Sequence, residues 1–144
     1  MWYGEYVHSL DSKNRFVLPA KFRQQLQKLE TEKFYLTRGL DGCLLMFAEG
    51  DWKGYEAKLK SLSFTKKQSR SFNRLFFSGA VETSPDSQGR VLIPDYLKAF
   101  AAIKRDIVVI GISDRIEIWD KGLWGKFYED NRKNFEEMAE NIFD

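Results

Sequence analysis

One nine-residue motif occurs twice in this chain, and the repeat constrains the fold more than any other feature of the sequence. The first copy is Asp11-Ser-Lys-Asn-Arg15-Phe-Val-Leu-Pro19, and the second is Asp86-Ser-Gln-Gly-Arg90-Val-Leu-Ile-Pro94. Asp, Ser, Arg and Pro recur in register, and the three residues before each proline are apolar. Self-similarity at a fixed offset indicates a duplicated structural unit. Any surface that the motif forms is therefore present twice in one molecule.

The repeat extends beyond the motif and divides the chain. Further matches occur at an offset of 72 instead of 75: Gly39-Leu40 with Gly111-Ile112, and Gly50-x-Trp52 with Gly122-x-Trp124. The smaller offset predicts extra residues in the first unit, in the connection around 28–33. We expect unit 1 at 5–48, a helical connector at 49–76, unit 2 at 77–121 and a C-terminal helix at 122–144. Two units are fewer than a solenoid array requires, so they form one duplicated domain.

Composition favours a soluble, cytoplasmic protein with a sizeable core. Hydrophobic residues make up 43% and aromatic residues 15% of the 144 residues, which is ample for one domain. No apolar run approaches the roughly 18 residues of a membrane span, and the first residues lack a signal-peptide pattern. Cys43 is the only cysteine, which excludes an internal disulfide and a four-cysteine zinc site.

Charge is distributed unevenly between the two halves. Residues 1–75 carry 14 Lys and Arg against 8 Asp and Glu, whereas residues 76–144 carry 9 against 13. A basic half points to a polyanionic partner. A solvated basic surface is the alternative interpretation, and the net charge of +2 does not separate the two.

The motif predicts a hairpin in each unit. A strand at 5–10 or 80–84 leads into the Asp turn, and a return strand follows at 15–18 or 90–93. Asp at the first turn position hydrogen-bonds the backbone two residues on, and Asn14 or Gly89 can adopt the left-handed conformation of a bulged hairpin. Pro19 and Pro94 fit the first turn of a following helix, where a missing N–H costs nothing.

A second hairpin follows each of these helices. Strands at 34–37 and 43–47 flank Asp41-Gly42, a strong turn signal, and strands at 107–112 and 115–119 flank Ser113-Asp114. Four short strands and one helix bury too little surface to fold alone. The two units are therefore expected to pair about a pseudo-twofold axis.

The remaining segments are predicted to be helical. The connector suggests one amphipathic helix containing Trp52 and a second one capped by Thr65. The second would carry a basic face of Lys66, Lys67, Arg70 and Arg74, which could contact DNA or pair with a neighbouring subunit. We favour pairing or solvation, the usual fate of charged helical faces. Residues 123–143 predict a longer helix whose aromatic stripe packs against the core or a neighbouring subunit.

Enzymatic, metal and cofactor chemistry find little support in the sequence. His8 and Cys43 are the only residues of their types, and a lone histidine on a strand or a lone cysteine is usually structural. Asp11 and Asp86 each precede an arginine by four residues, which favours an ionised carboxylate unsuited to general-acid work. No glycine-rich phosphate loop or metal-ligand cluster occurs. We expect no catalytic residue, metal, cofactor, membrane contact or small-molecule substrate.

The two arginines are instead suited to binding nucleic acid. A guanidinium group at the edge of a turn can contact a phosphate, or the O6 and N7 atoms of guanine, through two hydrogen bonds. The structural alternative is that Asp11 with Arg15, and Asp86 with Arg90, only brace their own turns or bridge the units. Both roles can coexist. Lys13, Lys21 and Arg23 surround the first turn in the sequence, so we expect it to make more phosphate contacts than the second.

The doubled Asp-x-x-x-Arg motif, each copy followed by three apolar residues and proline, resembles the MraZ family. Gly39-Leu40-Asp41-Gly42-Cys43-Leu44 in the first unit strengthens the resemblance, which covers essentially the whole chain. Trp2-Tyr3 before Gly4 and the hairpin sequence 111–115 depart from the family pattern. The family belongs to the AbrB-like bacterial regulators. The resemblance implies an α+β fold, an intertwined AbrB-like (double-split β-α-β) barrel of two pseudo-twofold-related units with flanking helices.

The resemblance also implies a function. MraZ proteins are ring-shaped homo-oligomers that bind repeated boxes of double-stranded DNA and regulate the division and cell-wall gene cluster, so we expect a regulator at the nucleoid. The motif assigns DNA binding to Asp11, Arg15, Asp86 and Arg90, with Lys13, Lys21 and Arg23 as flanking cations. The competing hypothesis is an oligomeric protein-interaction scaffold without specific DNA binding.

Overall fold

The computed structural model describes residues 1–143, in which eight strands form two antiparallel sheets flanked by helices. The strands are β1 (Trp2–Ser9), β2 (Arg15–Val17), β3 (Phe34–Arg38), β4 (Leu44–Ala48), β5 (Val81–Thr83), β6 (Arg90–Leu92), β7 (Asp106–Ser113) and β8 (Arg115–Asp120). The helices are α1 (Ala20–Lys28), α2 (Glu49–Lys60), α3 (Lys67–Gly79), α4 (Asp95–Phe100), α5 (Lys121–Asn131) and α6 (Phe135–Phe143). The predicted α+β class is confirmed.

Strands of the two units alternate within the larger sheet. Its order is β1-β7-β8-β4-β3-β5, and β2 pairs with β6 in a separate two-stranded ribbon. Exchanging each strand for its counterpart in the other unit reverses this order, which is the relation expected of two pseudo-twofold-related units. Because β1 pairs with β7 and β5 with β3, neither unit can complete its sheet without the other.

The backbone hydrogen bonds of residues 1–143 do not close a barrel. The six-stranded sheet ends at β1 on one side and β5 on the other, and these two strands are not paired. The β2–β6 ribbon covers one face of that sheet, because Phe16 and Val91 of the ribbon belong to the same buried cluster as residues of β3, β4, β7 and β8. The architecture is thus a sheet with a covering ribbon.

The predicted hairpins at the Asp turns are wrong. Flanking strands do not pair with each other, because β1 pairs with β7 while β2 pairs with β6. If β2 or β6 paired with the strand that precedes it in the chain, the ladder would be only three residues long and would lie far from the core. Pairing across the units instead aligns Phe16 with Val91, so that both side chains reach the buried cluster. The predicted second hairpins, β3–β4 and β7–β8, are confirmed.

The Gly39–Cys43 turn has the conformation that its sequence predicts. Asp41 and Gly42 both have positive φ, at 62° and 79°. A hairpin turn of type I′ requires this, because its backbone twist matches the twist of the flanking strands. The N–H of Cys43 donates to the carbonyl of Leu40, which closes the turn.

The helices differ from the predictions in three details. The extra residues of the first unit lengthen the helix, since α1 has 9 residues and α4 has 6. Lys66, not Thr65, precedes α3, because the Thr65 hydroxyl is already hydrogen-bonded to Ser63. The C-terminal helix is interrupted at Arg132–Asn134 by a 3-10 turn, beside Asn131, whose side chain donates to the Phe127 carbonyl. No helix within residues 1–143 is long and apolar enough to cross a membrane.

Both faces of the six-stranded sheet are covered at its central strands, whereas Tyr3 and Val7 of the edge strand β1 are exposed. Alternate residues of β7 divide between them, with Ile107 and Val109 in the main core and Val108 and Ile110 in a second cluster near α5. A third cluster lies under α2 and α3, where Phe47, Trp52 and Phe76 pack together. Because strand side chains alternate between faces, this two-sided burial explains why β4 and β7 are apolar almost throughout.

Gly111 of β7 should tolerate no side chain, because a Cβ there would overlap the backbone of Trp2 and Tyr3 in β1. We expect Gly111→Ala to lower the free energy of unfolding by about 1–3 kcal/mol, the usual cost of overpacking. Gly125→Ala is the matched control, because no heavy atom lies within 4 Å of a Cβ added there. Urea denaturation measures both, and equal midpoints for Gly111→Ala and the unchanged protein would contradict the strand packing.

Candidate nucleic-acid interface

The exposed face of the β2–β6 ribbon carries both repeated arginines. Arg15 lies opposite Leu92, and Val17 lies opposite Arg90. Residues opposite each other in an antiparallel pair share a face, so Arg15, Val17, Arg90 and Leu92 form one outer face while Phe16 and Val91 point into the core. The two motif copies thus build a single surface, with one Asp turn at each end of the ribbon.

Each turn is organised by its aspartate in the same way. Asp11 Oδ1 accepts hydrogen bonds from the backbone N–H groups of Lys13 and Arg15, both at 2.9 Å. Asp11 Oδ2 accepts from Arg15 Nε at 2.9 Å. In the second turn Asp86 Oδ1 accepts from the N–H groups of Gln88 and Arg90, and Asp86 Oδ2 accepts from Arg90 Nε at 2.7 Å. One carboxylate therefore fixes both the turn and the side chain of its arginine.

Both aspartates are held in the ionised form. The backbone N–H of Arg15, with smaller contributions from the Lys13 N–H and the Arg15 guanidinium, lowers the pKa of Asp11 below its ordinary value. The backbone N–H of Arg90 and its guanidinium lower the pKa of Asp86 in the same way. Hydrogen bonds to a carboxylate favour its charged form. Neither aspartate is therefore suited to donating a proton.

The arginines keep donors available for a ligand. Each uses Nε for its aspartate, and within residues 1–143 no hydrogen bond engages the terminal amino groups of Arg15 or Arg90. Both side chains are partly exposed. The aspartate bonds also reduce the rotamer freedom that a contact would otherwise have to remove. Bracing a turn and contacting a ligand are thus compatible roles of the same arginine.

The helix of each unit lies against the turn of the other unit. Arg23 of α1 was expected beside the first turn, but it packs on the second: a Cβ added at Gly89 would lie 2.5 Å from Arg23 Nη1. Its counterpart Lys98 of α4 donates to Asn14 Oδ1 in the first turn at 3.0 Å. The crossing follows from the interleaved strands, which place each helix beside the partner unit.

The side chain of Asn14 contacts two residues of the other unit that the sequence did not assign to the site. Its φ of 60° is left-handed, as predicted, but its side chain also donates to Asp95 Oδ1 at 2.7 Å. Asp95 and Lys98 therefore hold the first turn from the other unit. The sequence aligns Asn14 with Gly89 and Lys98 with Arg23. This alignment identifies equivalent positions in the two units, but it does not indicate that each helix contacts the turn of the other unit.

The remaining predicted cations lie at different places. Lys13 lies within the first turn and is exposed. Lys21 lines a hollow beside the start of β1, with Met1, Tyr3 and Gly4. No hydrogen bond or ion pair within residues 1–143 joins Lys21 to either turn. On α3, Arg70 donates to the backbone carbonyls of Phe64 and Thr65, so it fastens the loop between α2 and α3.

The residues considered for catalysis are poorly placed for it. Burial raises the pKa of Cys43 to about 12, which keeps the thiol protonated and unreactive as a nucleophile. Burial, with the nearby Arg23, lowers the pKa of His8. Among residues 1–143 no group of three or more His, Cys, Asp or Glu side chains could hold a metal ion.

A comparison with known protein families gives a match along the whole chain. The family model described as "MraZ protein, putative antitoxin-like" matches residues 1–75 and again residues 76–144. Each match contains one copy of the Asp-x-x-x-Arg turn, and the boundary between the two matches falls within α3. The repeat found in the sequence is therefore also a repeat of the family model.

Proposed function

The chain belongs to the MraZ family, a regulator-type family, and from this membership we propose that it is a sequence-specific DNA-binding transcriptional regulator. The β2–β6 ribbon is its DNA-reading element. A two-stranded antiparallel ribbon fits the major groove of B-DNA, where base edges are distinguishable. The observation that carries this proposal is the outer face of the ribbon, on which two aspartate-braced arginines point away from the core.

The flanking groups divide the contacts between bases and phosphates. Arg15 and Arg90 offer terminal amino groups suited to guanine, while Lys13 lies beside them in a position suited to the phosphate backbone. Arg23 serves the second turn and Lys98 the first. Asp11 and Asp86 act indirectly, because they orient the arginines. Lys21, at the start of α1, adds to the electrostatic attraction of the same half.

We place the protein in the AbrB-like class and propose that it acts as a ring-shaped homo-oligomer at the nucleoid. The interleaved units support the class assignment. One ribbon covers few base pairs, so useful affinity requires several ribbons on several DNA boxes, which raises the effective concentration after the first contact. The division and cell-wall gene cluster that includes its own gene is the proposed target.

The C-terminal helix supplies one side of the proposed subunit interface. Residues 135–143 contain no buried side chain, and Phe135 and Ile142 are 72% and 76% exposed. Met138 lies on the same face of α6, which therefore presents an apolar stripe without a partner in its own chain. Glu136 and Glu137 lie on the two sides of this stripe. An exposed apolar face of this kind marks an interaction site.

A groove formed by the middle of the chain and β8 is the complementary surface. It has a volume of about 400 Å3 and lies between α2, α3 and the β3–β4 turn, where it is lined by Leu40, Leu59, Phe72 and Phe76 among others. Of the cations near it, Arg115 lines the groove, and Lys58 has its Nζ 5.5 Å from the ring centroid of Tyr55, another lining residue. We assign this groove to α6 of a second copy, because the apolar stripe of α6 matches its apolar lining and the acidic groups of α6 complement Lys58 and Arg115. A head-to-tail contact of this kind generates a ring when the rotation from one subunit to the next closes.

DNase footprinting tests the regulatory function directly. The purified oligomer, applied to the DNA upstream of its own gene at low salt, is expected to protect repeated short boxes, and the affinity should fall steeply as salt rises. A protein scaffold without DNA specificity would protect nothing at any salt concentration. That outcome would favour the alternative, in which the exposed helix and groove recruit proteins only.

A further inference from the structure

Two aliphatic side chains lie between the two arginines on the outer face of the ribbon. Val17 is 41% exposed and Leu92 is 50% exposed. In contrast, the apolar residues immediately before and after each of them in the chain are buried. Val17 lies opposite Arg90, and Leu92 lies opposite Arg15. The duplicated motif thus produces a symmetric set of four side chains, two cationic and two apolar, on one exposed surface.

This placement is chemically specific. In the major groove the C5-methyl group of thymine is the apolar feature that distinguishes a T·A pair, and apolar side chains contact it directly. Aliphatic side chains fixed beside base-reading arginines come within reach of such methyl groups whenever the ribbon enters the groove. We propose that Val17 and Leu92 are specificity-determining residues that contact thymine methyl groups, an inference that rests on the proposed DNA binding.

The ribbon geometry sets the spacing of the two methyl contacts. Val17 and Leu92 are diagonal neighbours across the strand pair, a relation that separates side chains by about 7–8 Å. Successive bases of one DNA strand are about 3.4 Å apart along the helix axis. The two aliphatic residues therefore match thymine methyl groups about two base steps apart, with the arginine contacts on the alternate diagonal.

The test uses the footprinted upstream duplex, synthesised once with thymidine and once with deoxyuridine, which lacks only the methyl group. Fluorescence anisotropy measures the dissociation constant for each duplex. We expect the deoxyuridine duplex to bind about fourfold more weakly per lost methyl contact. The combined variant Val17→Ala/Leu92→Ala should bind both duplexes equally, because it has no side chain to contact the methyl groups.

Leu123→Ala is the matched control, because Leu123 is as exposed as Val17 but lies on α5. It should retain the full difference between the two duplexes. Equal binding of both duplexes by the unchanged protein would overturn the inference, and so would a difference that persists in the Val17→Ala/Leu92→Ala variant. A protected site without thymine would overturn it as well. Failure of the proposed function is distinguishable, because neither duplex would then show a footprint.

Discussion

Replacing Arg15 with alanine is expected to weaken binding to the footprinted upstream duplex by roughly 10- to 100-fold, the range for loss of one bidentate base contact. The substitution removes the guanidinium but leaves the carboxylate of Asp11 bonded to the N–H groups of Lys13 and Arg15. The turn should therefore persist. Anisotropy titration at several salt concentrations measures the change, and size-exclusion chromatography checks that the oligomer is intact.

Two comparison variants sharpen this result. Arg132→Ala removes an arginine whose Nε also bonds a carboxylate, that of Glu129, but far along the chain from the ribbon, and it should bind normally. Arg15→Lys keeps the charge without the forked donors, so it should retain salt-dependent attraction while losing discrimination between sequences. Unchanged affinity and salt dependence in Arg15→Ala would remove Arg15 from the interface.

Arg90→Ala is expected to do less damage than Arg15→Ala. Lys13 and Lys98 accompany the first turn, whereas the second has Gln88 in place of Lys13, and Glu30 and Glu32 line the cleft beside Asp86. Arg23, which packs on the second turn, offsets only part of this difference in charge. The first turn is therefore the more electropositive end of the ribbon. If Arg90→Ala loses as much DNA affinity as Arg15→Ala, or more, the difference in charge between the two turns does not determine their contributions.

The sequence predicted the two tandem units, the second hairpins and the aspartate turns because these depend on local chemistry. An Asp turn with Asn14 or Gly89 in the left-handed region is determined within five residues, and Asp41-Gly42 selects its turn type without help from the rest of the chain. Periodicity likewise located the helices. Features of this kind can be predicted from a short segment, whatever fold the rest of the chain adopts.

The pairing of strands was not predictable in this way, because it depends on which partner buries more apolar surface. β2 and β6 have three residues each, and nothing in the Asp turn indicates whether the flanking strands pair with each other or with the second unit. The crossing of Arg23 and Lys98 to opposite turns follows from that interleaving. The exposed outer face became visible only when the register placed Val17 opposite Arg90.

Reversing the charges on one side of the proposed subunit interface should separate the ring into smaller species. Lys58→Glu on α2 combined with Arg115→Glu on β8 places acidic groups against the acidic flanks of α6, and Glu136→Lys/Glu137→Lys does the converse. Exposed pairs contribute about 0.2–1 kcal/mol each, so reversal of two charges should weaken each contact by about 10-fold or more. Affinity for multi-box DNA should fall with the loss of the ring.

Mixing the two reversed proteins provides the decisive comparison. In a head-to-tail ring the acidic α6 of one variant meets the cationic groove of the other, and the basic α6 meets the acidic groove, so every interface is again complementary. Light scattering should therefore show the large species returning in the mixture, with DNA affinity restored. Lys121→Glu/Lys126→Glu on α5 carries the same charge change outside the interface and should leave the oligomer intact. A mixture that stays dissociated, or single variants that assemble normally, would exclude docking of α6 on the α2–α3 groove, because no other pairing of these helices makes both variants fail alone and recover together.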